Sequence, residues 1–205
     1  FSMDSDVPDV VGLQSICREY GATLMVDVAH DLGAIGGRGG GYLELQGMIG
    51  EPDILMGSFS KSFASNGGFV ACNSPSLKPA LRYRCGPLTF TNALSPVQCA
   101  VVLKCLDIVQ SAEGADLRAR LMSNILYMRE SLQSAGFKLL GQPSAIIPVI
   151  LGENAVSRLT TRYAIEQGAA INLVEYPAVS RKACRWRVQV MATHTREHID
   201  SFVTI

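Results

Sequence analysis

The chain has 205 residues, of which 48% are hydrophobic and 18% charged, with 18 Lys plus Arg balancing 18 Asp plus Glu. That size suits one large domain or two small ones, and the apolar content excludes an intrinsically disordered chain and sustains at least one dry core. Zero net charge leaves no global field to attract nucleic acid or an anionic membrane, so no nucleic-acid partner is expected and function has to rest on local sites.

Residues 8–20 read as a helix, with Val11, Leu13, Ile16, Cys17 and Tyr20 near 3.6-residue spacing, Pro8 in the first turn and Gly21 as the stop. Residues 23–27 form a short apolar run ending in Asp27 and predict a buried strand. Six of the nine residues from Gly33 to Gly41 are glycine, which forces a structural loop; no Gly-Lys-Ser/Thr ending follows, so it is not a P-loop. Short buried strands are expected at 53–57 and 68–72, then helices at 76–84 and 96–110. A longer helix is expected over 115–135, with Leu117, Leu121, Ile125, Met128 and Leu132 on one face and Gly136 as its stop. The rest reads as strands at 137–140 and 145–151, a helix at 155–167, strands at 170–174 and 187–191, and a helix at 195–202. Alternating strands and helices predict an α/β fold, and the change of character near Gly114 places a boundary between 1–114 and 115–205.

The longest apolar runs, such as 145–151, fall short of the ~18 residues that a membrane span needs. The acidic start, Phe1-Ser2-Met3-Asp4-Ser5-Asp6, lacks the basic region of a signal peptide. An apolar Phe1 with no cap or linker before it suggests a piece of something longer. Cys17, Cys72, Cys85, Cys99, Cys105 and Cys184 contain no Cys-x-x-Cys pair; they read as reduced core thiols, which points to a cytoplasmic location. His194 and His198 lie four apart, but no third ligand is evident and Thr195 reads as an N-cap between them, so no metal site is expected.

Two predicted strands deliver reactive groups at their carboxyl ends, where ligands collect in open α/β sheets: Asp27 followed by His30, and Ser58-Phe59-Ser60-Lys61. A buried aspartate needs a cation or several donors, and a buried lysine neutralises or reacts. One chemistry uses both: pyridoxal 5′-phosphate (PLP) forms a Schiff base with a lysine and keeps its ring nitrogen protonated against a carboxylate. Ser58 and Ser60 would meet the phosphate, His30 the ring oxygen, and Gly67 and Gly68 would let the backbone pass close by.

The Asp27-Val28-Ala29-His30 run with Gly33, Gly36, Arg38 and Gly39, then Gly57-Ser58-Phe59-Ser60-Lys61 and Gly67-Gly68-Phe69, resembles the α-oxoamine synthase family of PLP enzymes, which includes serine palmitoyltransferase, 2-amino-3-ketobutyrate CoA ligase and 8-amino-7-oxononanoate synthase. Further matches are Phe1-Ser2-Met3-Asp4, Leu88-Thr89-Phe90-Thr91, Tyr176-Pro177-Ala178-Val179 and Arg185-Trp186-Arg187 ahead of Ala192-Thr193-His194-Thr195. The resemblance implies a fold-type I PLP transferase, with 1–114 the C-terminal part of the cofactor-binding large domain and 115–205 the small C-terminal α/β domain. It implies Lys61 as the Schiff-base lysine, Asp27 against the pyridinium, His30 on the ring oxygen and Ser58 and Ser60 on the phosphate. Thr91 would reach the phosphate of the second subunit of a homodimer, Arg187 would grip the amino-acid carboxylate, and Ser2 would stand near the cofactor. The implied reaction is decarboxylating condensation of a small amino acid with an acyl-CoA or other acyl thioester to an aminoketone, in which Lys61 removes the α-proton. Lys61 and Asp27 also suit an aminotransferase or a carbon–carbon lyase of the same fold, and a non-catalytic fragment or subunit needing a partner is the remaining alternative. Departures from the family pattern are Val28 in place of a polar residue, Asp31 in place of a small one, and Ala93 in place of a hydroxyl. The family's preceding stretch, with its ring-stacking aromatic and phosphate-binding turn, has no counterpart in this sequence, so the chain is expected to be the second half of such an enzyme.

Overall fold

The computed structural model describes residues 2–205 and divides them into two compact units: Pro8–Ala115, and the described residues before Pro8 together with Asp116–Ile205.

The first unit opens with α1 (Val10–Glu19). Asp9 starts the helix in place of Pro8: its carboxylate accepts from the Gly12 N–H at 3.0 Å, supplying a partner for an otherwise orphan donor. Gly21, at φ +61°, turns the chain out of the helix beyond Tyr20. There follow β1 (Met25–Asp27), α2 (Gly41–Leu45), β2 (Ile54–Ser58), β3 (Gly68–Cys72), α3 (Leu77–Arg84), α4 (Gly86–Phe90) and α5 (Pro96–Gln110). The sheet runs β1-β2-β3, with β1 parallel to β2 and β3 antiparallel to it, so it is mixed. β1 is not the buried strand that its composition predicts. It lies at the end of the strand order, with Met25 and Asp27 exposed and Val26 half-buried. One face alone is dry, where Val10, Val28, Leu43 and Met48 pack with Leu24, Val26, Leu55 and Phe69.

The short helices α2 and α4 have no counterpart in the sequence expectation, because five residues do not establish a period. α5 is fixed at its start by a capping box between Ser95 and Gln98. Its apolar side chains are unevenly used: Val102 is buried, whereas Val97 and Leu103 are 73% and 62% exposed.

The second unit comprises most of α6 (Ala112–Ser134), then β4 (Ile146–Gly152), α7 (Asn154–Glu166), β5 (Asn172–Val174), β6 (Cys184–Gln189) and α8 (Arg196–Val203). Its sheet is antiparallel throughout, in the order β4-β6-β5. Ile147 and Val149 of β4 and Trp186 and Val188 of β6 form its core with Ile125, Met128 and Leu132 of α6 and Ile199 of α8. Pro148 is tolerated in mid-strand because β4 lies at the sheet edge: its carbonyl accepts from Leu140 N–H at 3.1 Å on the outer side, so the missing N–H costs no bond to β6.

Two elements here differ from expectation. Residues 137–140 make an isolated bridge, Leu139 to Val149, and no named strand, because Gly136 (φ +90°) and Gly141 (φ +67°) turn the chain at both ends. β6 begins three residues before the predicted 187, since Arg185 and Arg187 interrupt the apolar run without interrupting the ladder.

The described residues before Pro8 belong with this second unit, although the sequence reading grouped them with 1–114. Ser5, fully buried, hydrogen-bonds the Gln142 carbonyl at 2.9 Å and the Ser144 hydroxyl at 2.6 Å, and its own carbonyl accepts from Gln142 N–H at 2.8 Å. The six cysteines are all free, but Cys184 is the one that is buried; Cys99 is exposed and the others half-buried, so they are not generally core thiols. Among the described residues, no helix is long and apolar enough to cross a membrane.

Candidate active site

Asp27 and Ser58 end two neighbouring parallel strands, and the chemistry-bearing residues of the first unit follow from that. Asp27 pairs in register with Met56, and Val28 N–H continues the ladder to the Met56 carbonyl at 2.9 Å. Asp27 Oδ1 then accepts from Ala29 N–H at 2.8 Å, an Asx-type turn that redirects the chain. Its other oxygen, Oδ2, has no hydrogen-bond partner among the described residues, and the side chain is exposed. His30, half-buried, stands in the helical turn that follows, where Leu32 N–H donates to the Val28 carbonyl at 3.0 Å.

Asp31, which the sequence reading noted only as a departure, is buried, and it fixes this turn to α2. Its Oδ2 accepts from Tyr42 N–H at 2.7 Å, while Oδ1 is buried without a hydrogen-bond partner. Gly41 (φ +72°) makes the approach possible, since a Cβ there would run into the Asp31 carboxylate. Burial raises the Asp31 carboxyl above its ordinary range, with the Tyr42 N–H opposing the shift. A carboxyl raised in the folded state carries no penalty below the unfolded range near ~3.9 and becomes destabilising as pH rises through the folded value. Asp31→Asn keeps an acceptor for Tyr42 and removes the buried charge, so it is expected to raise Tm at pH 7.5, with the gain narrowing toward pH 4. A pH-independent or inverted difference in thermal unfolding would contradict this.

Beyond β2, Ser58 and Ser60 hydroxyls share a hydrogen bond of 2.6 Å, and Ser60 N–H donates to Ser58 Oγ at 3.2 Å. Lys61 follows in a tight turn closed by Ala64 N–H to its carbonyl at 3.1 Å, with Phe59 N–H bonded to the Gly67 carbonyl at 2.9 Å. Phe63, buried beneath the turn, packs edge-on against Phe59 at 5.6 Å. Lys61 and Ser60 are exposed and Ser58 is half-buried, and Lys61 has no ion pair among the described residues. The burial expected for Asp27 and Lys61 is therefore not provided by this unit, whose three-stranded sheet leaves its strand ends open.

The glycines after the lysine turn have local reasons. A Cβ at Gly68 would strike the Gly57 carbonyl across the β2–β3 pair, and one at Gly67 (φ +79°) would meet Leu94 at 2.6 Å. Thr91, exposed at the end of α4, donates its hydroxyl to the Pro87 carbonyl; no contact brings it to Ser58 or Ser60.

In the second unit, Arg187 is half-buried on β6, and its Nε donates to the Ser2 carbonyl at 2.7 Å. Burial pulls both Arg187 and its neighbour Arg185 below the usual guanidinium range. Ser2 meets Arg187 through backbone alone. The sequence assigns Arg185 and Asp4 no role beyond their places in the family-like runs, yet the two form an ion pair, with the Arg185 side chain 8% exposed. The available signal was an acid inside the Phe-Ser-Met-Asp run and two arginines at strand spacing. His194 and His198 each accept a backbone N–H at Nδ1, from Met191 and Thr195, and so serve the turn into α8.

A family model described as aminotransferase class I and II matches residues 1–205. The chain is 36% identical over 205 residues to an 8-amino-7-oxononanoate synthase of Geobacter metallireducens, covering 100% of this chain and 52% of that protein. It is 37% identical over 203 residues to a serine palmitoyltransferase of Bacteroides thetaiotaomicron, covering 99% and 51%. A solved structure of SPT with the PLP internal aldimine aligns at a TM-score of 0.91 and 30% identity, over 100% of this chain and 51% of that one. The chain thus spans about half the length of the curated relatives that it matches.

Proposed function

The chain belongs to the class I and II aminotransferase family and carries part of the fold-type I architecture of that family, and from this premise we propose that it is the lysine-bearing half of a PLP-dependent acyltransferase. The reaction is condensation of a small amino acid with an acyl-CoA or related thioester, releasing carbon dioxide and free thiol and leaving an aminoketone. The observation that carries this reading is the placement of Asp27 and of the Ser58-to-Lys61 turn at the carboxyl ends of two adjacent parallel strands, with Asp27 Oδ2 and the Lys61 amine both unengaged among the described residues.

The donor set fits the cofactor. Asp27 Oδ2 would accept the ring N–H, the Ser58 and Ser60 hydroxyls would donate to the phosphate, and His30 would hydrogen-bond the ring oxygen. Lys61 would join the aldehyde covalently. Bound there, PLP supplies a carbonyl for amine capture and a ring that delocalises negative charge. The Asp27 carboxylate keeps the ring nitrogen protonated by favouring the cationic form electrostatically. The Lys61 amine takes the α-proton of the amino acid, as a general base close to its target. Arg187 offers a planar guanidinium to the substrate carboxylate. Thr91 and Ser2 are carried as cofactor contacts by resemblance, Thr91 toward the second subunit of a homodimer. Free cysteines accord with a cytoplasmic, reducing location.

Release of free thiol on mixing the PLP-reconstituted protein with an amino acid and an acyl-CoA tests the reaction; keto-acid formation without thiol would favour transamination instead. A second reading has support of its own. Exposed Val97, Leu103 and Phe90, with the open strand ends, favour a chain that works only with a complementary polypeptide. Failure to develop a cofactor absorbance band on adding PLP would support it.

Asp27→Asn is expected to lower turnover by about 10²–10³-fold, through loss of the charge-assisted partner that favours the protonated ring nitrogen. Covalent capture of the cofactor by Lys61 should persist in that variant. Undiminished turnover would remove Asp27 from the ring nitrogen.

A further inference from the structure

Arg185 and Arg187 stand two residues apart on β6, and strand alternation puts both on the face opposite Trp186 and Val188, which enter the core. On that face Arg187 lies between Pro148 of β4 and Asn172 of β5, and Arg185 between Ile150 and Val174. Positions i and i+2 of a strand are about 7 Å apart, close enough for two partly desolvated guanidinium groups to repel.

The segment before Pro8 treats the two unequally. Arg185 is consumed internally: it pairs with Asp4, and its Nε donates to the Ala183 carbonyl at 3.1 Å. Arg187 gives its Nε to the Ser2 carbonyl, and its Nη groups have no partner among the described residues. Buried Ser5 holds the segment in place through Gln142 and Ser144. One neutralised cation and one oriented, available cation result.

We propose that Asp4 determines specificity for the amino-acid substrate: by occupying Arg185 it leaves Arg187 as the single carboxylate-binding cation of this face, so the face accepts an amino acid with one carboxylate and disfavours a dicarboxylic one. The proposal rests on the carboxylate role of Arg187 proposed above. Asp4 does not touch the reacting atoms; it acts through the charge of Arg185. A purely structural role would weaken all amino acids alike, whereas this role changes their ratio.

The test uses the PLP-reconstituted protein and measures dissociation constants for L-alanine and L-glutamate from the change in cofactor absorbance. Asp4→Asn frees Arg185 and is expected to shift the alanine-to-glutamate preference toward glutamate by about tenfold, and Asp4→Glu should restore the original preference. Arg185→Met supplies a second arm should Asp4→Asn not fold. It leaves Asp4 free to compete for Arg187, and alanine affinity should fall several-fold. An unchanged ratio in Asp4→Asn, or unchanged alanine affinity in Arg185→Met, overturns the proposal. If Arg187→Met binds alanine undiminished, the carboxylate reading of Arg187 itself fails. Loss of alanine binding in that variant, with the ratio unmoved in Asp4→Asn, removes only the role of Asp4. An unsubstituted protein that shows no response to alanine overturns both.

Discussion

Replacing Lys61 by alanine is expected to lower acyl transfer by at least about 10³-fold, the largest single-residue effect on activity in the chain. Two roles are lost together: the covalent attachment point for the cofactor and the base that takes the α-proton. The local fold should survive. Lys61 is exposed, and the turn that carries it is closed by backbone hydrogen bonds, Ala64 to Lys61 and Phe59 to Gly67, and by the buried Phe63 ring. Lys61→Ala should therefore unfold at the same temperature as the parent, which separates a chemical loss from a structural one. Borohydride reduction followed by intact-mass measurement should show the cofactor's mass on the parent chain and none on the variant. Equal labelling of both would move the attachment to another amine and end the proposed reaction.

The largest stability effect is expected at Trp186, the single tryptophan. It is buried at the centre of β6, near Phe137 and Phe202 at 6.4 and 6.1 Å between ring centres, and its indole N–H donates to the Thr161 hydroxyl at 2.8 Å. Trp186→Ala removes a large apolar volume from a sheet face with little freedom to collapse, and should cost about 3–5 kcal/mol. The lost hydrogen bond adds little. Thr161 still donates to the Ser157 carbonyl at 2.6 Å, so no buried donor is orphaned. Against a total stability of roughly 5–15 kcal/mol, the variant should be largely unfolded in urea concentrations that the parent withstands, read by far-ultraviolet circular dichroism. Trp186→Phe keeps most of the packing and should recover more than half of the loss. A Trp186→Ala midpoint within error of the parent would mean that the second unit does not depend on this core.

These two residues also mark how legible the chain is. The placement of Asp27, the paired serines and Lys61 at strand ends was readable because its signal is local: reactive side chains where two short apolar runs end, within a few residues of glycine turns. Most helices were readable because capping and 3.6-residue spacing are local as well, as at Ser95 and at Thr195, whose capping box with His198 starts α8. The short helices α2 and α4 escaped because one turn has no period, and residues 137–140 looked like a strand because apolar composition does not show whether a ladder continues.

What the sequence by itself determined, then, is the order of the longer elements, the placement of reactive residues at strand ends, and the family to which those residues point. Tertiary structure alone decided burial and pairing. It left Asp27 and Lys61 exposed and Asp31 buried with an orphan oxygen. It also bonded Ser5 to Ser144 and joined Asp4 to Arg185 across 181 positions of chain. The reason is physical: capping, turn formation and side-chain periodicity act between residues a few positions apart. Desolvation and charge pairing depend on which distant segments close over a group, and no local pattern records that.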